Sequence, residues 1–339
     1  MKVGVSKPDV LVVAKLWLPL MQAVQAAFEV HDRLHQSDAA ALKRVASQIR
    51  GIAATGESKV SRELIASLPA LELISVFGVG YDGVDVAAAM ERGIMVTHTP
   101  DVLTDEVADM ALALMLCVAR RIPQADRYLR AGSWPQAPFP LTRKVSGARL
   151  GIVGLGRIGL AIARRAEALS MNIAYCNRTP KAGVEYRYFP DPAALAAEVE
   201  FLVVITPGGA ATRKLIDAKV LHALGPKGYL INVARGSVVD EAALIQALKD
   251  GVIAGAALDV FENEPQVPAE LMAMDNVVLT PHIASGTWQT RHAMADRALD
   301  NLKEHFAGRP VLTPVPEILN AQGMGSANSA APSVGAISS

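Results

Sequence analysis

The chain has 339 residues, about twice the length of a typical domain, so we expect two domains. Hydrophobic residues make up 51% and charged residues 19%, which excludes a disordered chain and is sufficient for two cores. Lysine and arginine together number 33, as do aspartate and glutamate, and without a basic excess or a charged tail we expect no nucleic-acid partner.

Membrane insertion and metal binding are both disfavoured. The mean hydropathy is positive (+0.27), but the longest apolar run, Met110–Ala119, is far shorter than the roughly 20 residues of a spanning helix. The apolar stretch Val10–Ala14 is closed by Lys15, so we expect no signal peptide. Cys117 and Cys176 lie far apart and outside any CxxC or Cys/His spacing, which predicts a protein of the reducing cytoplasm without a metal site.

The first hundred residues alternate strand-like and helical stretches. Pro19–Ala27 predicts a helix, and strands are expected at Asp9–Ala14, Gly51–Thr55, Leu73–Phe77 and Ile94–Thr97. Strands separated by helices are typical of βαβ units with a parallel sheet.

A long helix is expected from Thr104 to Arg120. Thr104 would be its N-cap, with Asp105 and Glu106 in the first turn, where the helix dipole favours anions. Its body is apolar all round, as in a buried helix. Residues 121–148 contain four prolines and predict a long irregular loop, of the kind that is usually functional or forms an interface.

A second α/β series follows. Its six expected strands are Arg149–Val153, Asn172–Cys176, Phe201–Ile205, Tyr229–Asn232, Ile253–Leu258 and Val277–Thr280. A last helix is expected from Thr287 to Phe306. The segment Asn320–Ser339 is rich in Ala, Ser and Gly and predicts a flexible tail without a function.

The sequence Gly154-Leu155-Gly156-Arg157-Ile158-Gly159 directly follows the strand RLGIV and opens a helix. The first glycine allows a tight turn, the second lets the backbone approach a pyrophosphate, and the third lets helix and strand pack closely. The helix N-terminus then directs free N–H groups at that phosphate. A lone GxGxxG is often a simple turn, but this strand–turn–helix context predicts a dinucleotide site.

The next strand ends at Asn177-Arg178-Thr179, about 20 residues further on, where NAD enzymes usually place a carboxylate on the ribose hydroxyls. A carboxylate would repel a 2′-phosphate, whereas arginine can pair with it bidentately. The segment therefore predicts a preference for NADP(H), with NAD(H) possible. The alternative is that Arg178 is a solvated loop charge and the ribose is held otherwise.

Three polar segments follow strands of the second series, where ligands bind in open parallel sheets. Arg235 lies between a strand and a glycine turn, placed either to clamp a carboxylate or to form a surface salt bridge. The segment Leu258–Pro265 offers three carboxylates, among which the pattern does not choose. His282 follows a buried strand and can exchange a proton near neutral pH. The other histidines are expected to be solvated or, at His98, structural.

Together these motifs resemble the D-2-hydroxyacid dehydrogenases over nearly everything from Leu64 to Pro316. The motifs that carry the resemblance are Phe77–Asp85 (FGVGYDGVD), Val102–Asp109 (VLTDEVAD), GLGRIG, INVARGSVVDEAAL, LDVFENEP and LTPHIAS. Two further segments, LGPKGYLINVARG and NLKEHFAGRPVLTPV, make the chain most similar within this family to the glyoxylate/hydroxypyruvate reductases and the plant hydroxyphenylpyruvate reductases.

The resemblance implies an α/β fold with two doubly wound parallel-sheet domains, a Rossmann cofactor domain inserted into a flavodoxin-like substrate domain. Residues 1–99 and 287–318 would form the substrate-binding (catalytic) domain, residues 100–286 the NAD(P)-binding domain, and residues 319–339 the flexible tail. The catalytic cleft would lie between the domains. The apolar helix and the proline-rich segment after it resemble the family's dimer arm, which implies a homodimer.

Site residues follow from the same resemblance, position by position. Arg235 would bind and polarise the substrate, His282 would bind it and act as the acid/base, and Glu264 would be the partner of His282. The substrate carboxylate would lie on the backbone of Val79 and Gly80. Cofactor contacts are implied at Thr104, Leu155, Gly156, Arg157, Ile158, Asn177, Arg178, Thr179, Thr206, Pro207, Thr212, Val233, Ala234, Arg235, Asp259, His282, Ala284 and Gly286.

The implied activity is reduction of a small 2-oxo acid by NADPH to the D-2-hydroxy acid, with Glu264 favouring the imidazolium form of His282. A hydroxyphenylpyruvate reductase or another NAD-dependent D-2-hydroxyacid dehydrogenase is the alternative. A non-enzymatic dinucleotide-sensing protein is disfavoured by the intact Arg235–Glu264–His282 set. A formate-type dehydrogenase is disfavoured because those enzymes have Gln at the position of Glu264.

Overall fold

The computed structural model describes residues 7–323, which form two compact units. The first unit runs up to Pro100 and resumes at His292, and the second unit is Asp101–Arg291. Each is an α/β unit with a parallel sheet, so the predicted fold class is confirmed. The assignment of substrate to the first unit and cofactor to the second stays a prediction.

The first unit is built on a five-stranded parallel sheet in the order β2-β1-β3-β4-β5, the flavodoxin-like order. Its strands are β1 (Asp9–Val12), β2 (Glu29–Asp32), β3 (Ile49–Thr55), β4 (Leu73–Phe77) and β5 (Met95–Thr97). All five residues of β4 are buried, as in a strand covered by helices on both faces. The edge strand β2 was not predicted, because its sequence EVHD is polar and only partly buried.

Five helices belong to this part of the chain: α1 (Leu18–Ala27), α2 (Leu34–Ser37), α3 (Ala39–Val45), α4 (Arg62–Ser67) and α5 (Val86–Glu91). The caps of α3, α4 and α5 are side-chain oxygens of Asp38, Ser61 and Asp85, each of which accepts a hydrogen bond from a first-turn amide.

The second unit is built on a seven-stranded parallel sheet. Its strands are β6 (Arg149–Val153), β7 (Asn172–Cys176), β8 (Arg187–Phe189), β9 (Phe201–Val204), β10 (Tyr229–Asn232), β11 (Gly255–Leu258) and β12 (Val277–Leu279). The spatial order is β12-β11-β10-β9-β6-β7-β8, the Rossmann order with one added strand. The order reverses between β6 and β9, which is the position where such sheets bind ligands.

The remaining helices are α6 (Thr104–Arg120), α7 (Ile122–Arg130), α8 (Arg157–Ala168), α9 (Pro192–Ala196), α10 (Ala218–Leu224), α11 (Glu241–Lys249), α12 (Ala269–Ala273), α13 (Trp288–Phe306) and α14 (Pro316–Ala321). Within the first unit, Ser75 of β4 donates a buried hydrogen bond of 2.9 Å to the Ala298 carbonyl of α13. Of the helices in residues 7–323, none combines the length and apolar character needed to cross a membrane.

Three expectations need correction. Thr104 is the first residue of α6 and not its N-cap, a position held by Leu103 without a side-chain cap bond. The expected loop 121–148 begins with α7, because Pro123 is compatible with the first turn of a helix. The expected tail begins inside α14, whose Ile318 is buried; residues 324–339 lie outside the described part of the chain.

The strands of the second sheet end in register. The last ladder positions form one row across six neighbouring strands: Leu279, Leu258, Asn232, Val204, Val153 and Cys176. The residue that follows each strand therefore emerges at the same edge of the sheet.

Candidate active site

The predicted catalytic residues follow three adjacent strands at this edge. Arg235 lies three residues beyond β10, Glu264 six residues beyond β11, and His282 three residues beyond β12. The structure brings these side chains together, although they are up to 47 positions apart in the chain (235 to 282).

Glu264 and His282 form a direct pair. Nδ1 of His282 lies 2.6 Å from Oε2 of Glu264, and the other carboxylate oxygen accepts a 2.9 Å hydrogen bond from the Phe261 amide. Their side chains are 30% and 24% exposed for His282 and Glu264, so the pair is shielded but reachable from solvent. An ionised Glu264 requires Nδ1 to be the donor, which fixes the orientation of the ring and its neutral tautomer.

Electrostatics keep Glu264 ionised. Burial of the carboxyl opposes ionisation, but the hydrogen bond and charge of His282, the Phe261 amide and the charge of Arg235 outweigh it and hold the pKa of Glu264 below its usual value. The carboxylate is therefore charged at neutral pH and favours the imidazolium form of its partner.

Close backbone packing places Arg235 beside this pair. A Cβ at Gly236 would overlap the backbone of Phe261 and Glu262, so only glycine lets the two loops approach this closely. Nη1 of Arg235 donates to the Ala234 carbonyl at 2.8 Å. The guanidinium lies close enough for its charge to lower the pKa of Glu264, and its planar fork of donors suits a carboxylate or a carbonyl oxygen.

The loop that carries His282 is organised around one buried carboxylate. Asp259 is 1% exposed, and its oxygens accept hydrogen bonds from the Thr280 hydroxyl (2.6 Å) and the amides of Ile283 (2.9 Å) and Ala284 (2.8 Å). His282 has a φ of +51°, a left-handed conformation that is uncommon for residues other than glycine. These bonds on both sides of His282 stabilise it there.

The glycine-rich turn has the local geometry that the motif predicts. Gly154 has a φ of +106°, and a Cβ there would meet the Ile205 carbonyl oxygen at 2.7 Å. A Cβ at Gly159 would overlap the Gly154 carbonyl, whereas a Cβ at Gly156 would meet nothing within 4 Å. Open space at the second glycine, at the N-terminus of α8, fits a pyrophosphate.

Two predicted cofactor residues instead bond to each other. The Leu155 amide donates to Oδ1 of Asn177 at 2.7 Å, and Leu155 is 1% exposed. This amide is thus engaged within the protein, while no described residue accepts from the amides of Arg157 and Ile158. Asn177 fixes the glycine-rich turn against the end of β7.

Arg178 and Thr179 are exposed at the end of β7. Within residues 7–323 Arg178 has no ion pair or hydrogen bond, so its guanidinium is available to a ligand.

At the same edge of the sheet, the Thr212 hydroxyl donates to the Pro207 carbonyl (2.7 Å), and Thr206 packs behind Gly154. These contacts order the loop that follows β9.

Other predicted positions have structural bonds of their own. Thr104 donates its amide to the Asp101 carbonyl at 3.2 Å, and Gly286 closes a turn onto Ile283 at 2.7 Å. Val233 and Ala234 are buried, so any ligand contact there is made by their backbone. Val79 and Gly80, the predicted carboxylate loop, belong to the first unit, where they follow β4 and are half-buried.

Pattern analysis missed Asn232 and Thr280. Asn232 is 1% exposed; its Oδ1 accepts from the Ala234 amide (3.1 Å) and its Nδ2 donates to the Arg235 carbonyl (3.0 Å), so it shapes the loop that presents Arg235. Thr280 binds Asp259. The available signal was a polar residue at the end of an apolar strand, since Asn232 closes β10 and Thr280 directly follows β12.

Comparison with known proteins gives the family of this chain. Residues 112–284 match the family model described as "D-isomer specific 2-hydroxyacid dehydrogenase, NAD binding domain". Glyoxylate/hydroxypyruvate reductase A of Arabidopsis thaliana is 51% identical over 269 residues, which is 79% of this chain and 86% of that protein. Hydroxyphenylpyruvate reductase of Plectranthus scutellarioides is 50% identical over 270 residues, 80% of this chain and 86% of that protein.

A solved structure is similarly close. The NADPH-dependent glyoxylate/hydroxypyruvate reductase of Sinorhizobium meliloti, in complex with NADP and malonate, superposes with a TM-score of 0.86 at 50% identity and covers 91% of this chain and 97% of its own. Sequence, fold and the gathered Arg235, Glu264 and His282 lead to one conclusion: the chain belongs to the D-isomer specific 2-hydroxyacid dehydrogenase family.

Proposed function

We propose that the protein is an NADPH-preferring reductase that converts small 2-oxo acids of the glyoxylate/hydroxypyruvate type to D-2-hydroxy acids. The observation that carries the proposal is the convergence of Arg235, Glu264 and His282 at one edge of a dinucleotide-binding sheet. The names of the relatives support the substrate class, since two of them are glyoxylate/hydroxypyruvate reductases.

Each side chain has a defined task in this reaction. Arg235 draws electron density towards the ketone oxygen, and His282 donates a proton to that oxygen as negative charge develops on it. Glu264 holds the ring of His282 through Nδ1 and stabilises its positive charge until the proton leaves. The family resemblance further implies that the amides of Val79 and Gly80 bind the substrate carboxylate. The nicotinamide, when bound, supplies the hydride.

A substrate panel tests the activity. We expect turnover of glyoxylate and hydroxypyruvate with NADPH, and slower turnover of pyruvate and 4-hydroxyphenylpyruvate. The similarity to a hydroxyphenylpyruvate reductase makes the aromatic acid the second candidate. A preference for it would replace the substrate class proposed here, and failure to reduce any 2-oxo acid would refute the proposed function.

Cofactor choice depends on Arg178 in this proposal. The side chain is exposed and unpaired among the described residues, its neighbour Asn177 is uncharged, and the related Sinorhizobium structure contains NADP. A charge-assisted Arg–phosphate contact is worth roughly 1.5–3 kcal/mol. Arg178→Ala should therefore raise the KM for NADPH about tenfold or more and leave that for NADH nearly unchanged.

Arg187→Ala is the matched control, because Arg187 is an exposed arginine of the adjacent strand β8 that already pairs with Glu198. It should change neither KM. If Arg178→Ala weakens both cofactors equally, Arg178 does not select the phosphate.

The protein should assemble as a homodimer, through the region that follows the apolar helix and not through the helix itself. Helix α6 buries eight of its side chains, so it is not the exposed apolar surface. That surface lies on α7 and the segment after it, where Ile122, Leu129, Trp134 and Leu141 are 49%, 57%, 65% and 101% exposed. Light scattering should give the mass of two chains, and the double variant Trp134→Asp, Leu141→Asp should give the mass of one chain; a monomeric wild-type protein would refute the assembly.

A cytoplasmic location stays a prediction from cysteine usage.

A further inference from the structure

In the loop Gly78–Tyr81 of the first unit, two carbonyl groups are hydrogen-bonded within the protein, whereas two amide groups have no acceptor among residues 7–323. The Gly78 carbonyl accepts from the Thr99 amide at 2.8 Å, and the Val79 carbonyl lies 2.9 Å from Nδ1 of His98. In contrast, the amides of Val79 and Gly80 have no acceptor within residues 7–323. Because the two carbonyls are hydrogen-bonded within the protein, the two amides remain available to an anionic ligand.

His98 is itself held firmly. It is 7% exposed, its amide donates to the Thr313 carbonyl (3.1 Å), and its carbonyl accepts from the Thr313 hydroxyl (2.6 Å). The imidazole packs edge-on against the ring of Tyr81, with 5.3 Å between ring centroids and an interplanar angle of 88°. Its position relative to Val79 is thus fixed by backbone bonds and by an aromatic contact.

Tyr81 is anchored in turn to the C-terminal helix α14. Its hydroxyl donates to Oε2 of Glu317 at 2.9 Å. Burial and the Glu317 carboxylate both raise the pKa of Tyr81, so the hydroxyl stays protonated and remains a donor at any working pH. The ring that supports His98 therefore has one fixed orientation.

We propose that His98 is a positioning residue for substrate binding: it donates from Nδ1 to the Val79 carbonyl, fixes the peptide group that this carbonyl shares with the Gly80 amide, and so keeps the Gly80 amide directed at the substrate carboxylate beside the Val79 amide. The inference rests on the proposed function and adds to it a residue that the sequence marked only as structural. A carbonyl oxygen can only accept, so Nδ1 must carry the proton. Without this donor the carbonyl is left unpaired and the two peptide groups lose their common orientation.

Three substitutions at one position test the geometry. In His98→Asn the side-chain amide nitrogen lies about where Nδ1 was and can still donate. In His98→Gln the amide reaches further, to about the position of Nε2, and His98→Leu has no donor. Since a lost hydrogen bond changes binding by roughly three- to tenfold, Leu and Gln should raise the KM for glyoxylate by that factor. Asn should stay within about twofold of wild type.

Two further readouts separate this role from general damage. The Kd for NADPH, measured by fluorescence, should stay within about twofold in all three variants, because the first unit's loop is not expected to contact the dinucleotide. The Kd for oxalate, an unreactive carboxylate, should weaken in parallel with the KM for glyoxylate. The melting temperatures of His98→Asn and His98→Gln are measured to confirm that the two variants are equally stable. Both substitutions are polar, so the comparison between these two variants remains informative if the Leu variant fails to fold.

The outcomes are distinct. An unchanged KM in His98→Gln, equal losses in Asn and Gln, or a parallel loss of NADPH affinity would each overturn the positioning role. If wild-type protein turns over no 2-oxo acid, the proposed function fails instead. The oxalate measurements then still decide whether His98 orients a carboxylate-binding loop.

Discussion

The substitution Glu264→Gln probes the centre of the site. Gln can preserve a hydrogen bond to Nδ1 of His282 across the 2.6 Å contact, but it removes the negative charge. The environment of Glu264 holds its pKa below the usual value, so the carboxylate is ionised at neutral pH, and by reciprocity its charge stabilises the imidazolium. The perturbation thus isolates the electrostatic contribution of the pair.

The magnitude follows from the contact. A hydrogen bond between charged partners is worth roughly 1.5–3 kcal/mol and a neutral one roughly 0.5–1.5 kcal/mol, so the charge contributes about 1–1.5 kcal/mol here. Since about 1.4 kcal/mol corresponds to one pH unit, the imidazolium of the variant should lose its proton about one pH unit lower. Reduction needs the imidazolium, so the decline of kcat/KM with rising pH should move down by that amount.

The assay is kcat/KM for glyoxylate reduction between pH 5 and 10 at saturating NADPH. Glu262→Gln is the matched control, because Glu262 pairs with Arg213 at 3.0 Å and not with His282, and it should leave the profile in place. His282→Ala should abolish the decline and reduce kcat by about 10²–10⁴-fold. If Glu264→Gln leaves the profile where it was, or if Glu262→Gln moves it, the assignment of the partner carboxylate is refuted.

Two further predictions concern the support of the site and the end of the chain. Asp259→Asn places a side-chain amide where either the Ile283 amide or the Ala284 amide needs an acceptor, so it should lower the free energy of unfolding by about 1–3 kcal/mol and decrease kcat. Urea unfolding and initial-rate measurements check this, and an unchanged free energy of unfolding would contradict it. Truncation after Gly323 should leave the activity and the oligomeric state unchanged. Truncation after Leu319 removes the last two residues of α14, next to the buried Ile318, and should lower the melting temperature; equal melting temperatures in calorimetry would contradict this.

The fold was largely predictable because its buried strands have apolar sequences. β4 (LISVF) and β9 (FLVV) are fully buried, and runs of this kind between helical stretches indicate a parallel sheet. The two strands that were missed, β2 and β8, are edge strands with polar or short sequences, EVHD and RYF, since an edge position does not demand an apolar run.

The site was predictable to the extent that residue type limits the chemistry. A histidine and an arginine at strand ends point to proton transfer and anion binding, but local pattern could not select Glu264 from the acidic residues around it. That selection required the distance to His282, which depends on how the β11 and β12 connections fold. The internal role of Leu155 and Asn177 was likewise hidden, because it is a contact between two loops 22 positions apart (155 to 177).

The common row of strand ends in the second sheet has a consequence for changes in chain length. Each residue of a strand advances the chain by about 3.3 Å and reverses the face on which its side chain lies. A one-residue deletion within β12 would therefore draw His282 away from Glu264 and invert its direction, even if the sheet still formed. Among relatives of this protein, insertions and deletions should therefore occur in the connections at the opposite edge of the sheet, such as the segments that lead into β7 or β10. They should be absent from the last two residues of β10, β11 and β12.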